Sequence, residues 1–170
     1  MIHCYDCGRP CDVGSEAPLC PVHGPRWKMV RSAPCAGVVA IRDGKALLVR
    51  RGVEVNYGMW SIPGGFQNLG EHPADAARRE FLEEVGLEVR LTGILGVYVD
   101  TYGDTDMVQV VEFLGQADGE PRPDPVEVLD VAWFAPEELP DEMAGNHRER
   151  IEDWVRLTRG EPSRGFGFPL

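Results

Sequence analysis

The sequence predicts an α/β domain preceded by a small cysteine-rich segment, and three observations carry that expectation. Runs of β-branched and aliphatic residues recur along the chain, two stretches carry helical signals, and four of the five cysteines lie before residue 21. With 170 residues and 43% hydrophobic content, the chain is long enough for one sizeable core and too short for two equal ones.

Charge and hydropathy narrow the function classes. The formal net charge of −11 provides no global positive field for a nucleic-acid backbone, and no local basic patch compensates. A small anionic substrate stays compatible with this charge, because bound divalent cations reverse it locally. No apolar run approaches the roughly 18 residues of a membrane span, and Met1-Ile2-His3-Cys4-Tyr5-Asp6 lacks the order of a secretory signal. The expectation is a cytoplasmic protein acting on a small molecule, without nucleic-acid or membrane partners.

The chain changes character between Trp27 and Pro34, which places a domain boundary near residue 31. Ala36-Gly37-Val38-Val39-Ala40-Ile41 reads as a buried strand, Asp43-Gly44 as a hairpin turn, and Ala46-Leu47-Leu48-Val49 as the returning strand. Glycine-rich residues 52–72 read as a loop. Pro73 opens a helix that Ala74, Ala76 and Ala77 continue, and Gly86 stands at its left-handed stop, giving a helix over 73–85. Three more strand candidates follow at Val89–Val99, Met107–Leu114 and Val128–Phe134, with a Pro-rich linker, 120–125, before the last. Ile151, Trp154, Val155 and Thr158 recur at helical spacing, so a second helix over about 142–159 packs on the sheet, and the tail 160–170 reads as irregular.

The strongest chemical signal lies on the first helix. Glu80, Glu83 and Glu84 are related by three and four residues, so their carboxylates leave one face a turn apart. Three such glutamates on an arbitrary helix form a solvated acidic face. Here a Gly-rich turn, Pro63-Gly64-Gly65, stands just ahead, where backbone carbonyls can approach the same point. Hard cations such as Mg2+ take oxygen ligands of this kind and share them with substrate phosphates. Arg79 either pairs with Glu71 and braces the loop against the helix or stands as an exposed arginine. Arg50 and Arg51 end a strand just before the loop; either is a candidate for a substrate phosphate, and alternation puts one of them on the site's face.

The run Gly65, five residues, Glu71, seven residues, Arg79-Glu80-Phe81-Leu82-Glu83-Glu84-Val85-Gly86-Leu87 resembles the Nudix box, with every defined position matched and Phe81 bulkier than usual. The resemblance extends over residues 35–140. It implies an α/β/α sandwich around a mixed sheet, hydrolysis of a nucleoside diphosphate linked to another group, and Mg2+ or Mn2+ as cofactor. Carried over by position, Glu80, Glu83 and Glu84 are the metal ligands, with the Gly64 carbonyl as an addition, and Glu71 supports the site through Arg79. The general base is Glu83, Glu84 or a later acidic residue. For that later residue the candidates are Glu127, six places before Trp133, and Glu112, which lies in a strand pattern and otherwise faces solvent. Dimers are frequent in the family, so a homodimer is a further expectation.

Cys4-Tyr5-Asp6-Cys7 followed by Cys20-Pro21-Val22-His23 has the ligand types and pair spacing of a closed structural zinc site. A segment of this size folds on metal coordination more than on apolar burial. It resembles the zinc ribbon that precedes the catalytic domain in some Nudix proteins, NADH pyrophosphatases among them. The expected organisation is a ribbon over 1–31, the hydrolase domain over 32–160 and the tail over 161–170. Cys11 and Cys35 read as structural, and His3 competes with His23 as a ligand. The segment's charges, Arg9, Arg26, Lys28 and Arg31 against Asp6, Asp12 and Glu16, nearly cancel.

Substrate signatures are sparse. The Ser-Gln-Pro-Trp-Pro-Phe-Pro run of NADH pyrophosphatases is absent, and so is the proline beyond the box associated with ADP-ribose hydrolysis, where Tyr102 and Gly103 stand. The overall pattern is most similar to ADP-ribose pyrophosphatase-like members, which ranks ADP-ribose or a nucleotide sugar first, nucleoside triphosphates and NADH behind it. Tyr98 and Tyr102 are candidates for stacking on a base. The competing class is a non-catalytic nucleotide sensor whose ribbon contacts a partner.

Overall fold

A computed structural model describes residues 3–4, 6–13, 18–25, 32–102 and 106–166. The contacts divide the chain into two compact units, Met1–Ser32 and Ala33–Leu170. The sequence boundary near residue 31, the cations Arg26, Lys28 and Arg31, Gly103, and the last four residues lie outside the described residues.

In the first unit three short strands, β1 (Asp12–Val13), β2 (Pro18–Cys20) and β3 (Gly24–Pro25), form an antiparallel sheet in that order. Among the described residues its buried cluster is Cys4, Cys11 and Cys20, so sulfur occupies the place of a hydrocarbon core.

The second unit is a mixed sheet between two helices. β4 (Ala33–Arg42) and β5 (Lys45–Arg51) form the expected hairpin, and Asp43 and Gly44, both at positive φ (51° and 74°), make the turn that matches strand twist. β6 (Trp60–Ser61) pairs with β5 and β7 (Gly64–Phe66) with β4, so the predicted loop over 52–72 contains two short strands. β8 (Arg90–Tyr102), β9 (Asp106–Gln116) and β10 (Val128–Phe134) complete the order β10-β5-β4-β9-β8. β4 and β9 run parallel, and the other pairs are antiparallel.

Helix α1 (Pro73–Val85) has the predicted ends. The His72 ring accepts the Ala74 N–H as N-cap, and Gly86 takes φ 73° as C-cap. Its buried face, Ala76, Ala77, Phe81 and Val85, packs on Ala36, Val38, Ala40, Leu47, Val49 and Phe113. Helix α2 (His147–Thr158) covers the opposite face, setting Ile151 and Trp154 on Val39, Leu48 and Leu95. The layers are therefore α/β/α around a mixed sheet.

Two expectations are corrected. α2 starts at His147 rather than near 142, because Glu142 and Ala144 give their backbone groups to Trp60 and Gly145 takes φ 42°. The tail is also not merely irregular up to residue 166. Ser163 is buried with its Oγ donating to the Leu95 carbonyl at 2.7 Å, and Arg164 donates to Asp153 at 2.7 Å before a 3-10 turn over Arg164–Phe166. Asp153 takes the Tyr98 hydroxyl as well, at 2.9 Å.

Phe81, bulkier than the box usually carries at that position, is wholly buried between α1 and the sheet. Phe81→Ala leaves a cavity there, and urea denaturation is expected to show a loss of about 3–5 kcal/mol.

Candidate active site and cysteine cluster

The site is assembled where three backbone segments meet. Gly37 of β4 lies between Gly64 of β7 and Glu112 of β9 in one row across the sheet. A Cβ on Gly64 would stand 2.5 Å from the Ala36 carbonyl and 2.6 Å from Gly37 Cα, so only glycine permits this approach. A Cβ on Gly65 would meet Glu80 Oε2 at 2.5 Å. The glycine turn thus brings main chain within touching distance of the carboxylate helix.

Glu84 Oε2 accepts the Gly64 N–H at 2.9 Å. Burial pushes its carboxyl up to about 8; that hydrogen bond and the charge of Arg51 oppose the rise, while Glu80 and Glu127 add to it. Burial likewise raises Glu80, with Arg79 pulling against Glu83 and Glu127. These are negative groups held out of water with too little positive charge beside them, the condition a bound divalent cation relieves. Oxygen donors from Glu80, Glu83 and Glu84 with the neighbouring Gly64 carbonyl suit Mg2+ or Mn2+ in type. Glu83 stands at the more exposed edge of the group.

Arg79 holds the other side. Its Nε and Nη2 donate to the two oxygens of Glu71, each at 2.8 Å, and Nη2 also donates to the Phe66 carbonyl at 3.0 Å. Nη1 reaches Glu80 at 2.6 Å and Glu83 at 2.9 Å. One planar guanidinium therefore ties loop, β7 and α1 together. The Arg79 side chain holds the Glu71 carboxyl at about 2.

The structure separates the two strand-end arginines. Arg50 is exposed and donates to the Gly58 carbonyl at 2.8 Å. Arg51, anchored on the Val55 carbonyl at 3.0 Å, lines a cavity of about 90 Å3 with Gly64, Gly65, Phe66, Tyr102, Glu112 and His147. Glu127 is exposed, and its backbone carbonyl accepts the Gly52 N–H at 2.7 Å, which holds it beside the end of β5.

Glu112 does not face solvent. It is wholly buried, and its Oε2 takes Arg150 Nη1 at 2.9 Å. Burial pushes its carboxyl up to about 7 against the pull of Arg150. Arg150, itself 2% exposed, also donates to Asp100 at 2.9 Å and to Asn146 at 2.7 Å. His147 accepts the Ile62 N–H on Nδ1 at 3.1 Å, and burial together with Arg150 and Arg51 drives its ring well below the ordinary histidine value. It is therefore neutral, with its proton on Nε2. Sequence reading missed Arg150, His147 and Asp100; charged residues inside an amphipathic helix pattern and at a strand end give no signal of a shared buried partner. Tyr98 is buried beneath Arg150 and bonded to Asp153, so it does not stack on a ligand; Tyr102 meets Phe66 edge-on at 5.1 Å beside the cavity.

Separately, the sulfurs of Cys4, Cys7 and Cys20 and a His23 nitrogen all lie within 4.8 Å of one another. His23 Nδ1 is 3.4 Å from Cys4 Sγ and 3.7 Å from Cys20 Sγ. Burial pushes the Cys20 thiol up, but the N–H groups of Val22 and His23, each 3.4 Å from its sulfur, outweigh this and leave it below its ordinary value. Three sulfurs and one imidazole in this proximity are a donor set for a tetrahedral zinc ion. His3 instead bridges Pro10 through its backbone.

Residues 31–155 match the NUDIX domain family. The chain belongs to the Nudix family. It is 32% identical over 124 residues to a MutT-like protein of Streptomyces ambofaciens, covering 73% of this chain and 77% of that one. Identity to an ADP-ribose pyrophosphatase of Methanocaldococcus jannaschii is 31% over 121 residues, 70% of each chain. A NAD-capped RNA hydrolase NudC of Salmonella heidelberg is 30% identical over 163 residues, which is 93% of this chain but 62% of that protein. Among solved structures, a MutT NUDIX hydrolase from Burkholderia pseudomallei superposes with a TM-score of 0.68 at 27% identity, covering 72% of this chain and 98% of its own. This Nudix protein is a hydrolase acting on pyrophosphate bonds, from a family that typically uses Mg2+ or Mn2+. Among the described residues no helix is long and apolar enough to cross a membrane.

Because Glu71 is held below the ordinary carboxylate value, its pairing adds stability above about pH 4.3 and loses it as pH falls toward about 2. Glu71→Gln is expected to lower the Tm at neutral pH, with the gap to the unsubstituted chain narrowing below pH 4; thermal melts across pH 3–7 check this.

Proposed function

We propose that this Nudix protein hydrolyses the diphosphate linkage of a nucleoside diphosphate derivative, with ADP-ribose or a nucleotide sugar first among substrates. The observation that carries the reading is the under-compensated Glu80–Glu84 pair against the Gly64–Gly65 turn, backed by similarity to an ADP-ribose pyrophosphatase. Glu80, Glu83 and Glu84, with the Gly64 carbonyl, hold the divalent ions. When bound, such ions polarise the diphosphate and make an attacking water more acidic.

The chain's own groups do the rest. Arg79, fixed on Glu71, keeps α1 and the glycine turn in register, so the carboxylates are positioned before substrate arrives. Arg51 presents its guanidinium to a substrate phosphate from the cavity wall, the role that exposed Arg50 does not share. Glu127 takes the proton from the attacking water at its exposed carboxylate, a role supported by its electrostatic reach to Glu80 and Glu84. Water attack on phosphorus breaks the bridging P–O bond and leaves two phosphate-terminated products.

A second substrate reading has its own support. The similarity to a NAD-capped RNA hydrolase NudC runs over 93% of this chain, which favours a NAD-type dinucleotide linkage as the next candidate despite the missing downstream signature. The cysteine cluster holds one structural zinc ion.

A magnesium-supplemented panel of ADP-ribose, nucleotide sugars, NADH and nucleoside triphosphates, with product identification, tests the assignment. Glu83→Gln with Glu84→Gln is expected to lower turnover at least about 100-fold. Unchanged turnover in that variant would sink the catalytic assignment of these carboxylates, whereas no cleavage of any member of the panel by the intact protein would make it a scaffold or sensor. Metal analysis of the purified chain is expected to return one zinc per molecule, and Cys4→Ser with Cys7→Ser none; zinc-free intact protein rejects the ribbon.

A further inference from the structure

Glu112 carries more hydrogen-bonding capacity than its known partner uses. Arg150 occupies Oε2, while Oε1 is buried with no hydrogen-bond partner. An ion pair with Arg150 needs only the first oxygen. A buried carboxylate oxygen left unmet is costly, so its persistence points to a donor that arrives from outside the chain.

The surroundings define that donor. Oε1 lies directly over Gly37, where a Cβ would stand 2.6 Å from it, so the strand is kept bare beneath the oxygen. Glu112 lines the same cavity as Arg51, Phe66 and Tyr102. Its volume of about 90 Å3 takes about six to nine water-sized groups at roughly 10–15 Å3 each, the scale of one nucleobase. Phe66 and Tyr102 supply flat apolar contact, and Arg51 stands toward the carboxylate helix, where the phosphates of a substrate belong. In the ionised form that Arg150 favours, the carboxylate accepts hydrogen bonds and donates none, so that form calls for an N–H on the ring edge presented to it and repels a carbonyl.

We infer that Glu112 Oε1 accepts an N–H from the exocyclic amine of the substrate's base, and that Glu112 thereby selects amine-bearing bases. This rests on the nucleoside diphosphate reading given above. Glu112 is a specificity residue here: it leaves the reacting phosphorus to the α1 carboxylates on the other face of the sheet. Sites that hydrogen-bond a substrate N–H discriminate strongly against analogues lacking it, because the site's own polar group is then stranded.

The test compares ADP-ribose with its 6-deamino purine counterpart, which lacks only the exocyclic amine. The intact protein is expected to favour the amine about 10–100-fold in kcat/KM, chiefly through KM. Glu112→Gln is expected to bring the ratio within about threefold. Should that variant fail to fold beside Arg150, Glu112→Asp keeps the charge, withdraws the oxygen by one methylene and is expected to lower the ratio too. A merely structural role lowers both substrates together and leaves the ratio unchanged. Calorimetric titration of the zinc-bound protein in the presence of magnesium with AMP and with purine riboside 5′-monophosphate gives a second readout, with AMP expected to bind at least about tenfold more tightly. A ratio near one in the intact protein, or an undiminished ratio in a folded variant, overturns the inference. If neither diphosphate is cleaved, the functional reading falls and the monophosphate titration decides alone; equal binding of the two, or binding of neither, then overturns it.

Discussion

The backbones of β4 and β7 touch at Gly37 and Gly64, where neither residue has room for a side chain. This contact fixes three things at once. It turns the Gly64 N–H onto Glu84, sets Gly65 against Glu80, and leaves open the space above Gly37 that Glu112 occupies. The two functional faces of the sheet are therefore coupled through one strand-to-strand spacing. A shift of a few tenths of an ångström there moves the carboxylate helix's capped oxygen and the cavity floor together. Helix α1 supplies the force that maintains the spacing, since its buried face packs on Ala36 and Val38 to either side of Gly37.

The electrostatics follow from that geometry. Four glutamates, at 71, 80, 83 and 84, meet one arginine within reach, so Arg79 satisfies Glu71 in both oxygens and Glu80 and Glu83 in one each. Glu84 is left to a backbone N–H and the distant field of Arg51, which do not offset the burial that raises its carboxyl. Folding holds the site short of positive charge, a standing cost that a divalent cation removes on binding. With a divalent cation bound, the same arrangement would let a protein of net charge −11 accommodate a polyanion, because the attraction would be local.

Much of this was legible in the sequence where a residue's role is decided by its neighbours along the chain. Pro73 and Gly86 bounded α1 because helix ends depend on local backbone preferences, and Asp43-Gly44 marked the hairpin for the same reason. The spacing of Gly65, Glu71, Arg79 and the glutamates was readable because it spans a loop and one helix. The start of α2 was not, since Trp60 and its strand claim the backbone of residues 142–144 across more than eighty positions. The tail was misread likewise: Arg164 looks unremarkable until Asp153 stands beside it. Arg50 and Arg51 could not be told apart because pleat direction depends on which face of β5 is open to the cavity.

Glu112 is the clearest case of a residue whose meaning is entirely tertiary. In Val110-Val111-Glu112-Phe113-Leu114 it resembles a solvent-facing interruption of an apolar strand, yet it ends up fully buried. Two desolvated ions generally contribute less to stability than apolar residues of similar volume in the same place. An apolar residue at 112 with another at 150 would therefore serve the fold at least as well. Arg150 is also committed to Asp100 and Asn146, so the ion pair belongs to a network joining β8, β9 and the start of α2. That network ends at the one oxygen without a partner, on the side where Arg51, Phe66 and Tyr102 enclose space. A stability role explains the bonded oxygen of Glu112, and the other calls for a donor from outside the chain.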